Sequence, residues 1–279
     1  MKLPMILPML ALAMAPLAAS AVPGALEINK DCIAVGCFAG DAPGYPVTIT
    51  QPGSYILTSD LAPPGDSNTN AIEVSASPVD VDLNGHTVDG GGTCTGTPVT
   101  SCAGFAGNRG LNFSNNGNPG VFHLHDGTVR GFGSGGIVVF DSGDGTVLDH
   151  LTVTQNNYGA LIVASTTLTT TRVRDSQFVR NNQSGMTVAN GTNRLLIENS
   201  TAVGNATTGF VMGLGSVAVG NRISSNGNTG LYCGDIGAAC GLGQNVFSLN
   251  NGGGAAPQFQ VTTLRDMGGN VCLEKAACP

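Results

Sequence analysis

Short apolar phrases recur along this chain at nearly constant spacing, and that recurrence limits the fold more than any other feature. Gly136 opens GIVV, Ala160 opens ALIV, Gly185 opens GMTV, Gly209 opens GFVM and Gly230 opens GLYC, in steps of 24, 25, 24 and 21 residues. Further back, Gly110 opens GLNF and Ala71 opens AIEV. A period of about 20–50 residues marks a unit that cannot bury its apolar side alone and stacks on copies of itself.

Each repeat carries a second segment. These begin at Leu83 (LNGHTV), Leu124 (LHDGTV), Leu148 (LDHLTV), Val173 (VRDSQF) and Ile197 (IENSTA), and an asparagine follows in most of them: Asn156, Asn181, Asn205 and Asn226. Aligning the segments gives apolar columns. Leu83, Leu124, Leu148, Val173 and Ile197 form one; Val88, Val129, Val153, Phe178 and Ala202 another. In the glycine-led phrases, Ile72, Leu111, Ile137, Leu161, Met186, Phe210 and Leu231 form a third, and Val74, Phe113, Val139, Val163, Val188, Met212 and Cys233 a fourth. Alternation within short β-rich runs predicts strands with one buried face. The runs are too short and too interrupted by Gly and Asn for helical repeats.

The expected architecture is all-β: a single-stranded, right-handed parallel β-helix of about seven to eight coils, with rungs about 4.8 Å apart. VDLNGHTVDG (Val81 to Gly90) and the phrase Asn-x-x-x-Gly-apolar at Asn181, Asn205 and Asn226 resemble the secreted, pectate-lyase-like β-helix superfamily. The resemblance runs from about Pro46 to Gly252. It is specific for the fold and carries no specificity for function. Residues 1–21 read as a secretory signal peptide cleaved near Ala21, because Lys2 precedes an apolar run that ends in Ala19-Ser20-Ala21. Residues 22–45 are expected to cap the N-terminal opening, with a short helix near Leu26–Val35. Residues 46–252 form the solenoid, residues 91–109 a loop inserted into one coil, and residues 253–279 a C-terminal tail or cap. The leader and the resemblance together imply a bacterial, secreted or periplasmic protein.

Eight cysteines fit an oxidising compartment. They fall as near neighbours, which favours the disulfides Cys32–Cys37, Cys94–Cys102, Cys233–Cys240 and Cys272–Cys278 among the 105 possible pairings. No cysteine has the spacing of a zinc ligand set. The net charge of −7 argues against a nucleic-acid partner, which needs a basic footprint. No later segment is long and apolar enough for a transmembrane anchor.

The chemistry-bearing phrase is FHLHDGTVRG, which places His123, His125 and Asp126 within four positions and Arg130 close behind. In register, Asp126 shares a column with Gly85, His150, Asp175 and Asn199, residue types that tolerate positive φ. That column reads as a turn. The asparagines 156, 181, 205 and 226 read as a structural file whose side chains satisfy backbone groups at another turn. The sequons at Asn112, Asn182, Asn190, Asn199 and Asn205 follow from Asn and Thr filling these columns. The column of Asn84, His125, Asp149, Arg174 and Glu198 should face water, either as a ladder of surface ion pairs or as a polar binding stripe in which Asp149 orients His125 as a base. Outside the glycine-led strands lie Glu73, Asn112, Val138, Ile162, Thr187, Val211 and Tyr232 by the same alignment. Val138, Ile162 and Val211 then form an apolar face for a terminal segment, an oligomer contact or a protein partner.

Enzymes of this fold class work on the outer face of one sheet. Hydrolases need paired carboxylates; lyases need acidic groups, usually with calcium, and a cationic base. The glycine-led face lacks this equipment. The leading expectation is therefore a rigid scaffold that binds a glycan or protein without catalysis. The alternative is a lyase, epimerase or hydrolase acting on uronic-acid-type polymers through His125, Asp149, Arg174 and Glu198. An adhesin is a weaker third reading, for want of a membrane-anchoring barrel or tail. No cofactor is expected; Asp141 and Asp144 in the DSGDG loop are a weak calcium candidate.

Overall fold

The computed structural model describes residues 24–64, 68–105, 107–140, 142–163, 169–189, 193–213, 215–234, 239–253, 259–261 and 263–273. The leader segment 1–21, Asp141, Asn190 and Cys278 lie outside them. The chain winds into a parallel β-solenoid of about eight turns. Among the described residues a 16-stranded sheet and a 9-stranded sheet wall a common interior. Parallel pairing starts where Leu26–Ile28 meets Gly53–Leu57 and continues to Val271–Cys272. The expected helix near Leu26–Val35 does not form: Leu26–Ile28 is a strand whose Ile28 is fully buried, and turns follow it.

Inside the larger sheet, Leu124, Leu148, Val173 and Ile197 pair in succession and are fully buried. Val129, Val153, Phe178 and Ala202 form the parallel row. Between the rows the chain turns through the left-handed region at Asp126 (φ 58°), His150 (48°), Asp175 (50°) and Asn199 (49°). Short polar side chains tolerate that conformation because their own groups can bond locally.

Two departures from the sequence alignment reorient side chains. Below Leu124 sits Val81, and Asp82 lies beside His125; Leu83 and Asn84 belong to the turn, where Asn84 and Gly85 both have positive φ. The second departure is a slip of one residue. Ala160 pairs with Ile137, and Ile162 with Val139, so Ile162 points inward at 0% exposure while Leu161 and Val163 face outward. A shift of one residue moves every side chain of a strand to the opposite face. The expected apolar file of Val138, Ile162 and Val211 is therefore not a continuous outer face. Val138 does point outward, yet it is only 1% exposed.

Asn156, Asn181, Asn205, Asn226 and Asn250 are all fully buried. Each of the first four donates its backbone N–H and its amide to the carbonyl oxygen of the next. Each amide also donates to the backbone carbonyl three residues before the equivalent position of the previous rung, such as Phe178 O from Asn205. A Cβ at Gly136, Gly159, Gly185 or Gly209 would come within 2.6, 2.9, 3.0 and 3.0 Å of these amide nitrogens, which is why glycine opens the phrases. A second ladder stands at the other turn: Ser176, Ser200, Asn221, Asn245 and Asn270.

Residues 93–103 form an antiparallel hairpin with Cys94 opposite Cys102, joined by a disulfide. It lies over later coils: Val99 N–H donates to Gly204 O (2.9 Å) and Arg180 donates to Cys94 O (2.7 Å). Cys32–Cys37 and Cys233–Cys240 are also bonded. Cys272 is disulfide-bonded too, but its expected partner Cys278 lies outside the described residues.

Asn205→Ala would strand the buried Asn181 N–H and Phe178 C=O, at about 1–3 kcal/mol each. Chemical denaturation should show a loss of at least about 2 kcal/mol for this variant. Exposed Arg222→Ala should change stability by no more than about 0.5 kcal/mol.

Candidate functional site

Period-2 alternation with Leu124 inside sends His123 and His125 to the outer face of the larger sheet. The neighbouring strand Val79–Asp82 does the same with Asp80 and Asp82, because Val79 and Val81 are buried. The ladder sets Asp80 beside His123 and Asp82 beside His125. The His123 Nδ1 lies 2.7 Å from Asp80 Oδ1, and His125 Nε2 lies 3.4 Å from the same oxygen. His125 Nδ1 is 2.7 Å from Asp126 Oδ2 and 3.7 Å from Asp82 Oδ1. The two imidazoles stack with centroids 4.3 Å apart. Asp126 thus has a double role: its backbone makes the turn and its carboxylate reaches back to His125.

Burial favours the neutral form of His125, whose side chain is 17% exposed. The hydrogen bond that it donates to Asp126 and the charges of Asp80, Asp82 and Asp126 outweigh burial and raise its pKa. The imidazolium is the form these carboxylates stabilise.

The rest of the predicted stripe continues along the axis. Asp149, Arg174 and Glu198 follow His125 in register. Asp149 is not solvated as expected: its side chain is 7% exposed and accepts from Arg174 Nη2 at 2.6 Å. His150 Nδ1 also lies 2.8 Å from Asp149 Oδ1. This distance lacks hydrogen-bond geometry, since Oδ1 is left without a hydrogen-bond partner. The bond to Asp149, then its charge, raise the pKa of Arg174 further. His125 and Asp149 are ladder neighbours, but each takes its close polar contacts elsewhere. Glu198 meets Arg172 at 3.6 Å. Asp144 accepts from the backbone of Thr170 at 2.7 Å; its calcium companion Asp141 lies outside the described residues.

Past the left-handed turn, the same sheet carries a second polar region that the alignment did not single out. Thr87 and Thr128 stand in one outward column, Asp89, Arg130 and Thr154 in the next. Together with Asp60, Leu61 and Ala62 they line a cleft of about 470 Å³. Arg130 donates through Nε (3.0 Å) and Nη2 (2.6 Å) to Asp89 Oδ2. Asp60 accepts the Thr87 N–H at 2.9 Å. That bond, with smaller help from His86 and Arg130, outweighs desolvation and holds its carboxyl below the ordinary range.

On the smaller sheet, Glu73 accepts from Asn70 (2.7 Å) and Asn112 (2.6 Å), while Arg109 donates to Asn112 (3.0 Å) and covers the Phe140 ring. The Glu73 carboxylate and the Asn112 amide are engaged in these bonds, while Asn70 Oδ1 and Arg109 Nε are buried without a hydrogen-bond partner. The disulfides point to an oxidising compartment. Among the described residues no helix is long and apolar enough to cross a membrane.

Residues 99–260 match the family described as "Right handed beta helix region". No curated protein matches the chain. Among solved structures, the mannuronan C-5 epimerase AlgE4 A-module of Azotobacter vinelandii is similar at 15% identity and a TM-score of 0.39, over 85% of this chain and 70% of that one.

His125 should titrate above 6.5, the ordinary histidine value, when followed by NMR in chelator-treated protein, and Asp126→Asn should lower that midpoint. Because the folded pKa is the higher one, the stabilisation from His125 is complete below about pH 6.5 and fades as pH rises through the folded value. Denaturation between pH 5.5 and 8 should therefore show a smaller loss of stability in His125→Gln than in wild type.

Proposed function

Because the chain belongs to the right-handed β-helix family, we propose that it is a secreted or periplasmic scaffold that binds a neutral glycan along its outer strand face without chemical turnover. The observation that carries this reading is the cleft at Asp60, Thr87, Asp89, Thr128, Arg130 and Thr154. Its size falls within the range of small-molecule sites. Threonine hydroxyls both donate and accept, the carboxylates accept, and the guanidinium donates as a fork. Adjacent sugar hydroxyls need that mixture, and the exposed Ala62 offers a small apolar surface to their C–H faces.

Charge narrows the ligand class. Beside the cleft, the outer face carries Asp80, Asp82, Asp126, Asp149, Asp175 and Glu198 against Arg172 and Arg174. Such a surface repels polyuronates at neutral pH. It suits a neutral polymer, or a protein partner with a basic segment. The cleft is set into a rigid wall, so little ordering entropy opposes binding.

One observation favours the rival enzymatic reading: His125 is flanked by three carboxylates and its pKa is raised, as suits a proton donor. In that reading Asp149, Arg174 and Glu198 flank the substrate further along the stripe.

Calorimetric titration with a panel of neutral glycans, uronate polymers and a basic polypeptide, with and without calcium, separates the readings when the products are analysed. The expected result is saturable binding of a neutral glycan, weakened at least about tenfold in Arg130→Ala and Asp89→Asn, with no chain shortening, unsaturated ends or epimerised units. Turnover that disappears in His125→Ala, or binding untouched by both cleft variants, would overturn the proposal.

A further inference from the structure

We propose that Asp80, His123 and His125 form a binding site for a divalent transition-metal ion of the zinc type. The inference stands apart from glycan binding, since it uses a different group of residues on the other side of the left-handed turn.

Three observations carry it. First, the ligand atoms converge: one oxygen of Asp80 and one ring nitrogen from each histidine all lie within 4.8 Å of one another. Bonds of about 2.0–2.2 Å to a central tetrahedral ion ask for donor separations of about 3.4 Å, which lies inside that limit. Asp80 Oδ1 is already 2.7 Å from His123 Nδ1 and 3.4 Å from His125 Nε2, so small side-chain rotations complete the set.

Second, His125 is held as a metal-ligating histidine is held. Its Nδ1 meets Asp126 Oδ2 at 2.7 Å, which fixes that nitrogen as the donor and turns the Nε2 lone pair towards Asp80. A carboxylate behind the ring orients the imidazole and strengthens its basicity. Asp126 is thus a positioning residue. Asp82, 3.7 Å from the same nitrogen, adds negative charge behind it.

Third, the cluster has charge and room for an ion. Three carboxylates surround two imidazoles, so with both rings neutral the local charge is strongly negative. A cavity of about 260 Å³ opens beside it, with Ser54, Pro78, Asp80 and His123 in its wall. It can admit water or a ligand to the remaining coordination positions.

The donor set selects the ion. Two imidazoles with one carboxylate suit zinc, copper or nickel, whereas calcium prefers six to eight oxygens. Three protein ligands with an accessible fourth position is the pattern of an open site and not of a closed structural one.

The test uses the full chain without an affinity tag, stripped of metal with a chelator and titrated calorimetrically with Zn²⁺ alone, and in parallel with Ca²⁺ alone. One equivalent of Zn²⁺ should bind, and His123→Ala and His125→Ala should each weaken it at least about tenfold. Asp126→Asn should weaken it by about 10–100-fold. Circular dichroism of the metal-free variants checks folding. If an alanine variant does not fold, imidazole ¹H–¹⁵N spectra of the wild type supply the answer: Zn²⁺ should shift the His123 and His125 signals. Absence of stoichiometric binding, binding that survives loss of both imidazoles, unshifted histidine signals, or preference for Ca²⁺ would each overturn the proposal.

Discussion

In a parallel solenoid the hydrogen-bonding edge of every rung is the rung above it. Register between rungs is therefore the constraint on which all else rests. Backbone pairing alone leaves the corners unsatisfied, because the chain turns there and its N–H and C=O groups no longer face a neighbouring strand. The asparagine ladder resolves this at one corner, where each side chain accepts from the previous rung's N–H and donates to a carbonyl. The Ser176–Asn270 ladder does the same at the other. Buried polar chains of this kind are favourable only when every member is satisfied, so a rung that slips loses bonds at two corners together.

That rigidity is what lets the outer surface carry chemistry. Side chains on neighbouring rungs stay about 4.8 Å apart, and the polar columns follow from in-register stacking of residues far apart in sequence. Asp80 and His123 are brought together across one enlarged coil of some forty residues that carries the inserted loop, and Asp89 meets Arg130 across the same coil. The left-handed turn at Asp126 divides the face. On one side the groups are imidazoles and carboxylates; on the other they are threonine hydroxyls, the Asp60 carboxylate and the Asp89–Arg130 ion pair. One sheet thereby offers two different chemistries without any change in backbone plan.

Much of this was legible in the sequence, and the failures have specific causes. The inner row through Leu124, Leu148, Val173 and Ile197 was legible because polar neighbours fixed the phase of the alternation. At ALIV every residue is apolar, so alternation gives no phase, and aligning Ala160 with Gly136 sets the strand one residue out. The correct signal was the distance from asparagine to glycine: Asn156 reaches Gly159 in three steps, whereas Asn181 reaches Gly185 in four. Asp80 and Asp82 escape the alignment for a related reason. The turn after Asp82 is two residues longer than its counterpart after His125, so aligning Leu83 with Leu124 hid the carboxylates that face the histidines. The alternation Val79-Asp80-Val81-Asp82 was the clue, since it places both aspartates on the outer face. Asp149 was expected in solvent, but the Arg174 guanidinium lies against it and removes most of its water contact.

A stack held only by adjacent layers comes apart from its ends, layer by layer, like a column of coins. The hairpin closed by Cys94 and Cys102 alters that behaviour. It leaves an early coil and fastens to Arg180 and Gly204, several layers further on. Layers in the middle of the column thus share a brace as well as a neighbour. Peeling from the C-terminal end should stall where that brace begins, dividing the molecule into a tied central block and a looser tip.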